Sequence, residues 1–333
     1  MNMLENSAGI SCQYLRDESV SEKQHLLAKI LFDAHCHASA DKNHISTGLP
    51  LLAGASHCEF IFSVGPVKQR HSKNFYCAET EAYILLAYWS NEMDEGGLQN
   101  ATETIYNNLL TEMQACGYPH LVRVWNYFAD INHSEQDLER YRQFCIGRFN
   151  AFTAQGIAEE QFPSACALGH NGGDLLIYAL ASKLPAQHFE NPQQASAYHY
   201  PTEYGPRSPS FARASLLELA DQAPILFVSG TASVVGFVTQ HPDNLAKQVQ
   251  VTVENLNCLL AHVAAEHARN HNGVIPNLVA EVIKIYVRNE TDLPAIKHSI
   301  SNAYPSAPAV YLAADICRAD LLLEIDGIWK LVC

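Results

Sequence analysis

Apolar and polar positions alternate along the chain in two periods, and the order in which those periods appear predicts the architecture. Glu59-Phe60-Ile61-Phe62-Ser63-Val64 is an apolar run closed by Gly65-Pro66, as a strand is. Over residues 101–116, Ile105, Leu109, Leu110 and Met113 recur at helical spacing, and Gly117-Tyr118-Pro119 ends that helix. Leu121–Phe128 reads as a strand. Residues 135–154 read as a second helix, with Leu138, Tyr141, Phe144, Cys145 and Phe149 facing inward. The second half follows the same order. It predicts a strand over 223–230 and a long helix over 245–268 carrying Val249, Val253, Leu256, Leu260 and Val263. A strand over Val282–Val287 and a short helix over 293–303 follow. Residues 1–30 are polar and mixed, and the small and polar residues from Asp41 to Ser56 predict loop.

The repetition extends to individual residues. Pro119-His120-Leu121-Val122 matches Pro276-Asn277-Leu278-Val279. Phe162-Pro163-Ser164-Ala165-Cys166-Ala167 matches Tyr304-Pro305-Ser306-Ala307-Pro308-Ala309. Asp174-Leu175-Leu176 precedes an apolar strand, as does Asp320-Leu321-Leu322. The simplest account is two copies of one α+β unit, each a mixed sheet backed by two helices. Domains are expected at residues 1–190 and 191–333. The join, residues 185–215, is too aromatic for a flexible linker and is expected to be ordered.

Composition narrows the function. The chain has 333 residues, is 48% hydrophobic and only 17% charged, so it can bury a sizeable core. Its net charge is −14, which disfavours a partner such as nucleic acid or an anionic membrane. An anionic ligand would have to be held locally by a few arginines. The ten cysteines are scattered with no CxxC pair, which argues against a disulfide framework or a structural zinc site. No apolar run is long enough to span a membrane, and the N-terminus lacks the basic and apolar parts of a signal peptide. A cytoplasmic protein, a monomer or a small homo-oligomer, with reduced thiols and no cofactor, is the expectation.

The densest polar segment is Tyr198–Ala214, with three tyrosines, two arginines and three prolines. Proline stiffens such a loop, and the planar fork of an arginine can hold both oxygens of a carboxylate. Arg207 and Arg213 are therefore candidate carboxylate binders, with Tyr200 and Tyr204 against the ligand's ring or hydroxyl. The competing reading is a linker whose arginines pair with the chain's own acids. Arg123, in the first-half strand, is a third candidate. Gly230 and Thr231 end a strand, where backbone amides can meet an anion. Asp33-Ala34-His35-Cys36-His37 has the HxH spacing of a metallohydrolase. Such a site needs further ligands on a barrel that this helix–strand order does not provide, so no metal is expected. No dinucleotide or phosphate-loop motif is present.

Leu226–Thr231, the helix pattern Gln248-x-x-x-Thr252-x-x-x-Leu256, the strand Val282–Val287, Pro308-Ala309 and Leu322-Leu323-Glu324-Ile325 together resemble the RidA (YjgF) family. The resemblance implies tandem RidA-like units, of chorismate-mutase-like architecture, with a ligand site at their junction. RidA deaminases carry an arginine after the proline-alanine region, whereas this chain reads Pro305-Ser306-Ala307-Pro308-Ala309-Val310. That argues against imine deamination. Glu324 is retained in the second half, and its first-half counterpart is Tyr178, so one site is expected rather than two.

The loop Tyr200–Arg213 is similar to the chorismatases (chorismate hydrolases). So are Arg123-Val124-Trp125-Asn126-Tyr127, Asn171-Gly172-Gly173-Asp174, Ser229–Gly236 and Cys317–Glu324. This implies cleavage of the dianion chorismate to pyruvate and a ring product. Protonating the methylene of an enol ether makes it a leaving group, which needs a general acid of raised pKa. The resemblance assigns that role to Glu324, a residue that would otherwise read as an outward group on an edge strand. A cysteine at position 317 goes with hydroxybenzoate-forming members. It implies proton transfer that steers an epoxide-like intermediate toward 3-hydroxybenzoate, 4-hydroxybenzoate or both, the latter as in the type linked to xanthomonadin and ubiquinone supply. The alternatives are a RidA-like imine deaminase and a non-enzymatic binding protein for a shikimate-pathway acid.

Overall fold

The computed structural model describes residues 9–15, 25–36, 44–135, 137–219, 222–271 and 273–332, and the structural statements that follow concern these residues. His37 of the HxH motif and the first eight residues lie outside them. The chain starts with β1 (Ile10–Tyr14), β2 (His25–Leu31), β3 (His44–Ser46), β4 (Leu51–Gly54) and β5 (Cys58–Ser63). A meander of β6 (Lys68–Ser72), β7 (Phe75–Glu79) and β8 (Tyr83–Ser90) leads to α1 (Leu98–Ala115) and β9 (His120–Ala129). A small hairpin, β10 (Ser134–Glu135) and β11 (Leu138–Glu139), precedes α2 (Arg140–Ala154), β12 (Ser164–His170) and β13 (Leu175–Ser182). Next are β14 (Gln187–Phe189), β15 (Ala214–Leu217), β16 (Ile225–Thr231) and the hairpin β17 (Val234–Val235) and β18 (Val238–Thr239). The chain ends with α3 (Leu245–Asn270), β19 (Asn277–Val287), α4 (Leu293–Ala303), β20 (Ala309–Ala313), β21 (Asp315–Ile316) and β22 (Leu323–Val332).

These elements build two seven-stranded sheets, ordered β21-β12-β9-β13-β8-β7-β6 and β14-β15-β16-β22-β19-β20-β4. Both follow one path. Three antiparallel strands lead through a helix to a fourth, and a second helix returns to a fifth strand parallel to it. The last strand is then inserted between the third and fourth. β13 lies antiparallel between β8 and β9, as β22 lies between β16 and β19. Each sheet borrows its final edge strand from elsewhere: β21 pairs with β12, and β4 with β20. The paired landmarks of the sequence fall at matching places, since Pro119 and Pro276 precede β9 and β19, and Asp174 and Asp320 precede β13 and β22.

One face of each sheet is covered by its own helix pair. Ile105, Leu109 and Phe144 pack on Val124 and Ile177 of the first sheet, and Leu256, Val263 and Ile296 pack on Ile283 and Ile325 of the second. The other faces look inward at each other, where Trp125, Tyr127 and Tyr178 share a core with Phe227, Tyr286 and Ile328. A third sheet, β1-β5-β2-β3, adds Ile10, Leu27, Ile30 and Ile61 to that interior. It is tied in by polar contacts: Tyr14 Oη donates to the Ile283 carbonyl at 2.9 Å, and the Lys284 ammonium lies 2.7 Å from Glu59. The N-terminal region, which had no assigned role from sequence, is thus a wall of the core.

Two local expectations are corrected. The helix expected over 135–154 begins at Arg140, because Ser134–Glu139 forms a hairpin whose turn holds Asp137 at φ 63°, a left-handed conformation excluded from an α-helix. The stretch expected as loop up to Ser56 contains β3 and β4, short edge strands too brief to leave a periodic signal. No helix among the described residues is long and apolar enough to cross a membrane.

Candidate active site

A cavity of about 360 Å³ opens beside β12, lined by residues from both halves of the chain. Its size lies within the roughly 300–1,000 Å³ typical of small-molecule sites. The first half supplies Tyr141 and Arg148 from α2 and Ala165, Cys166 and Ala167 from β12. The second half supplies Gly230, Ala232 and Val234, the segment Cys317–Leu321, and Glu324. Tyr200, Tyr204, Pro209, Phe211 and Arg213 come from the proline-rich segment, which folds across the cavity.

Glu324 is the second residue of β22 and lies opposite Tyr286 of β19. Alternation along β22 sends Leu323 and Ile325 into the helix-covered core and turns Glu324 and Asp326 inward. The Glu324 side chain is 4% exposed. It sits against a bulge in β16, where pairing with β22 slips between Val228 and Thr231. A bulge of this kind bends the strand and re-aims its neighbours. A β-carbon at position 230 would overlap the Glu324 carboxyl, so only glycine lets the strand pass this closely. Burial, reinforced by the charge of Asp326, raises the Glu324 pKa to about 8, against the opposing pull of Arg123 and Arg213. Near neutral pH the group therefore holds its proton while facing a cavity.

Cys317 lies in the short connection between β21 and β22. Burial, with the charge of Glu324 next in size, pushes its thiol up to about 12, so the sulfur is a protonated thiol at neutral pH.

Four guanidinium groups line the cavity; that of Arg142, on α2, lies 3.3 Å from the Glu139 carboxylate. Arg148 is 2% exposed, its Nε and Nη2 have no hydrogen-bond partner among the described residues, and it lies over the Phe144 ring at 4.9 Å. Arg213 donates from Nη2 to the Ala195 carbonyl at 3.0 Å and to Tyr200 Oη at 2.7 Å, while its Nε has no such partner. Glu190 lies 4.0 Å from Arg213, and burial raises its pKa to about 7. Arg318 is positioned by Phe237 O at 2.8 Å and Thr239 Oγ1 at 3.2 Å, with Tyr204 and Tyr200 rings 4.4 Å and 5.3 Å away.

Of the residues singled out from sequence, the structure gathers Glu324, Cys317, Arg213, Tyr200, Tyr204 and Gly230 around this one cavity. Three lie elsewhere. Arg123 is buried in the interior, where it pairs with Asp326 at 2.7 Å and stacks over Trp125; the carboxylate it holds is the protein's own. Arg207 is exposed, with its guanidinium 4.3 Å above the Phe149 ring. Thr231 turns its hydroxyl to the Ser229 carbonyl at 3.0 Å. Arg142, Arg148 and Arg318 were missed. The signal for Arg148 was available, because it lies seven residues after Tyr141 and three after Cys145, an arginine on an apolar helix face.

A neutral carboxylic acid in a small cavity lined by four arginines defines an acid–base enzyme for an anionic substrate. The comparisons with known proteins are more specific. Residues 59–181 match the family described as Chorismatase FkbO/Hyg5-like, N-terminal. The chain is 39% identical over 241 residues to a 3-hydroxybenzoate synthase of Streptomyces hygroscopicus, covering 70% of each chain. It is 36% identical over 267 residues to a chorismatase of the same organism, covering 79% of this chain and 76% of that one. A chorismatase crystal structure superposes with a TM-score of 0.84 at 30% identity, over 97% of this chain and 98% of the other. The chain belongs to the chorismatase family.

Proposed function

We propose that the protein cleaves chorismate, releasing pyruvate and leaving a hydroxybenzoate, with 3-hydroxybenzoate the expected product. The observation that carries this reading is Glu324, a carboxyl group protonated near neutrality and held against Gly230 at the wall of a cavity lined by arginines. Chorismate has two carboxylates. Arg148 and Arg213, each with a nitrogen that makes no hydrogen bond among the described residues, are suited to receive them, and Arg142 and Arg318 add further positive charge to the lining. Tyr200 and Tyr204 provide ring faces beside them.

Glu324 gives its proton to the methylene carbon of the enolpyruvyl ether, leaving an oxocarbenium-like centre at the ether carbon. The neighbouring ring hydroxyl, giving its proton to the Glu324 carboxylate and so restoring the acid, attacks the ring carbon that bears the ether. That C–O bond breaks, pyruvate departs, and an epoxide remains. Opening the epoxide with loss of a ring proton restores aromaticity. Atoms balance without net water, since chorismate divides into pyruvate and hydroxybenzoate. A thiol raised to about 12 is a poor nucleophile but a usable proton donor to the opening epoxide, and its thiolate takes up the proton the ring loses, so Cys317 acts in proton transfer and forms no lasting adduct.

The reading extends to the architecture: two RidA/YjgF-like units, residues 1–190 and 191–333, with the site at their junction. The common strand path of the two sheets supports it. In that frame Tyr178, on β13 and stacked on Trp125 at 4.6 Å, fills the place where the second unit has Glu324. Incubation with chorismate tests the function. Loss of chorismate with equimolar pyruvate supports it, and tight binding without turnover points to a sensor of such acids.

A further inference from the structure

Near the C-terminal end of α3, His267 and His271 stand one turn apart with their rings stacked, centroids 4.0 Å from each other. Glu218, the first residue after β15, reaches both. Its carboxylate oxygens lie 3.3 Å from His267 Nδ1 and 3.4 Å from His271 Nε2. The three donor atoms lie within 4.8 Å of one another. In a tetrahedral complex with zinc–ligand bonds of about 2.0–2.1 Å, neighbouring ligand atoms are roughly 3.3–3.4 Å apart.

The hydrogen-bonding of the two rings points to a cation. His271 Nδ1 lies 2.9 Å from the His267 carbonyl oxygen, which can only accept. Nδ1 therefore carries hydrogen, and in the neutral ring Nε2 turns a lone pair toward the Glu218 carboxylate. His267 is 8% exposed, and its Nδ1, aimed at the same carboxylate, forms no hydrogen bond with any described residue. Two imidazole nitrogens and a carboxylate thus converge with no hydrogen bond completed among them. A backbone carbonyl fixing the far nitrogen of a ring is also how metal-binding histidines are oriented.

We propose that Glu218, His267 and His271 bind a divalent transition-metal ion, with Zn²⁺ the best match to two imidazoles and one carboxylate, and water in the fourth position. The site is separate from the cavity. Gln248, which holds the Asp320 carbonyl and the Leu322 amide beside the active site, lies on the same helix roughly 28 Å from His267 at 1.5 Å per residue. A metal here ties the end of α3 to the β15–β16 connection, so it acts on stability.

The test is titration of chelator-treated full-length protein with ZnCl₂ by calorimetry, with thermal unfolding in parallel and Co²⁺ as a visible-light probe. One equivalent of Zn²⁺ should bind and raise the unfolding temperature. His271→Ala and Glu218→Gln should each weaken binding at least tenfold and abolish the rise. Both side chains are nearly half exposed, so these variants should fold. The Co²⁺ spectrum should show nitrogen and oxygen ligands without the strong thiolate band that cysteine ligation adds. Absence of binding, binding that survives both substitutions, or a thiolate band would overturn the proposal.

Discussion

The carboxyl group of Glu324 lies so close to the α-carbon of Gly230 that no side chain can stand between them. One strand must be bare at the point where the next one turns an acid inward. Gly230→Ala should therefore displace the acid without unfolding the protein. Pyruvate release should fall at least about a hundredfold, the scale on which a positioned general acid contributes. The unfolding temperature should change little. Retained turnover with an alanine at 230 would show that the close approach is incidental.

The raised pKa of Glu324 predicts how activity depends on pH. The proton to be donated is present below about pH 8 and lost above it. The acid-dependent limb of kcat should be flat near neutrality and fall as pH rises through about 8. Stability follows the same sign. The folded state keeps this proton where the unfolded chain has released it, so the contribution is fully present at low pH and declines up to about 8. Kinetic and unfolding measurements across pH 5–9 check both, with Glu324→Gln as the variant that should lack this contribution.

Cys317→Ala should redirect the ring product rather than stop the release of pyruvate. Without the thiol the epoxide has lost its proton donor, and the hydroxybenzoate share should drop in favour of a non-aromatic dihydroxy acid. Chromatography of the products reads the ratio directly, and an unchanged ratio would leave Cys317 a packing residue. Its high pKa also predicts slow alkylation of the free protein at neutral pH.

The arginines should separate into two groups. Arg148→Met should raise KM about 10- to 100-fold, the loss expected for a charge-assisted hydrogen bond to a carboxylate of about 1.5–3 kcal/mol. Arg207→Ala should leave kinetics near wild type, because that side chain is exposed and outside the cavity lining. Arg123→Met should act on the fold. It strands Asp326 in the interior, a change that costs about 3–5 kcal/mol in buried pairs. Steady-state kinetics together with thermal unfolding distinguish the three.

Residue patterns reveal much of this molecule because each long helix turns one apolar face to its own sheet and so keeps one period. α4 begins and ends where the spacing of apolar residues places it, and the paired prolines and aspartates mark matching strands. What was hidden depends on long-range contact. β4 is a strand only because β20 leaves an edge for it to pair with. Arg123 sits on an apolar strand, and its partner Asp326 is 203 residues away, so sequence alone could not tell an internal ion pair from a ligand contact. Arg318 was visible within the Cys317–Glu324 block, yet only the folded hairpin β17–β18 shows what aims it at the cavity.

The most direct test compares wild type and Glu324→Gln in one assay, following chorismate, pyruvate and hydroxybenzoate together. Wild type should yield one pyruvate and one hydroxybenzoate per chorismate consumed. The glutamine variant should lose about 10²–10⁴-fold in turnover while still binding chorismate. No turnover by the wild type, or near-normal turnover by the variant, would contradict the account.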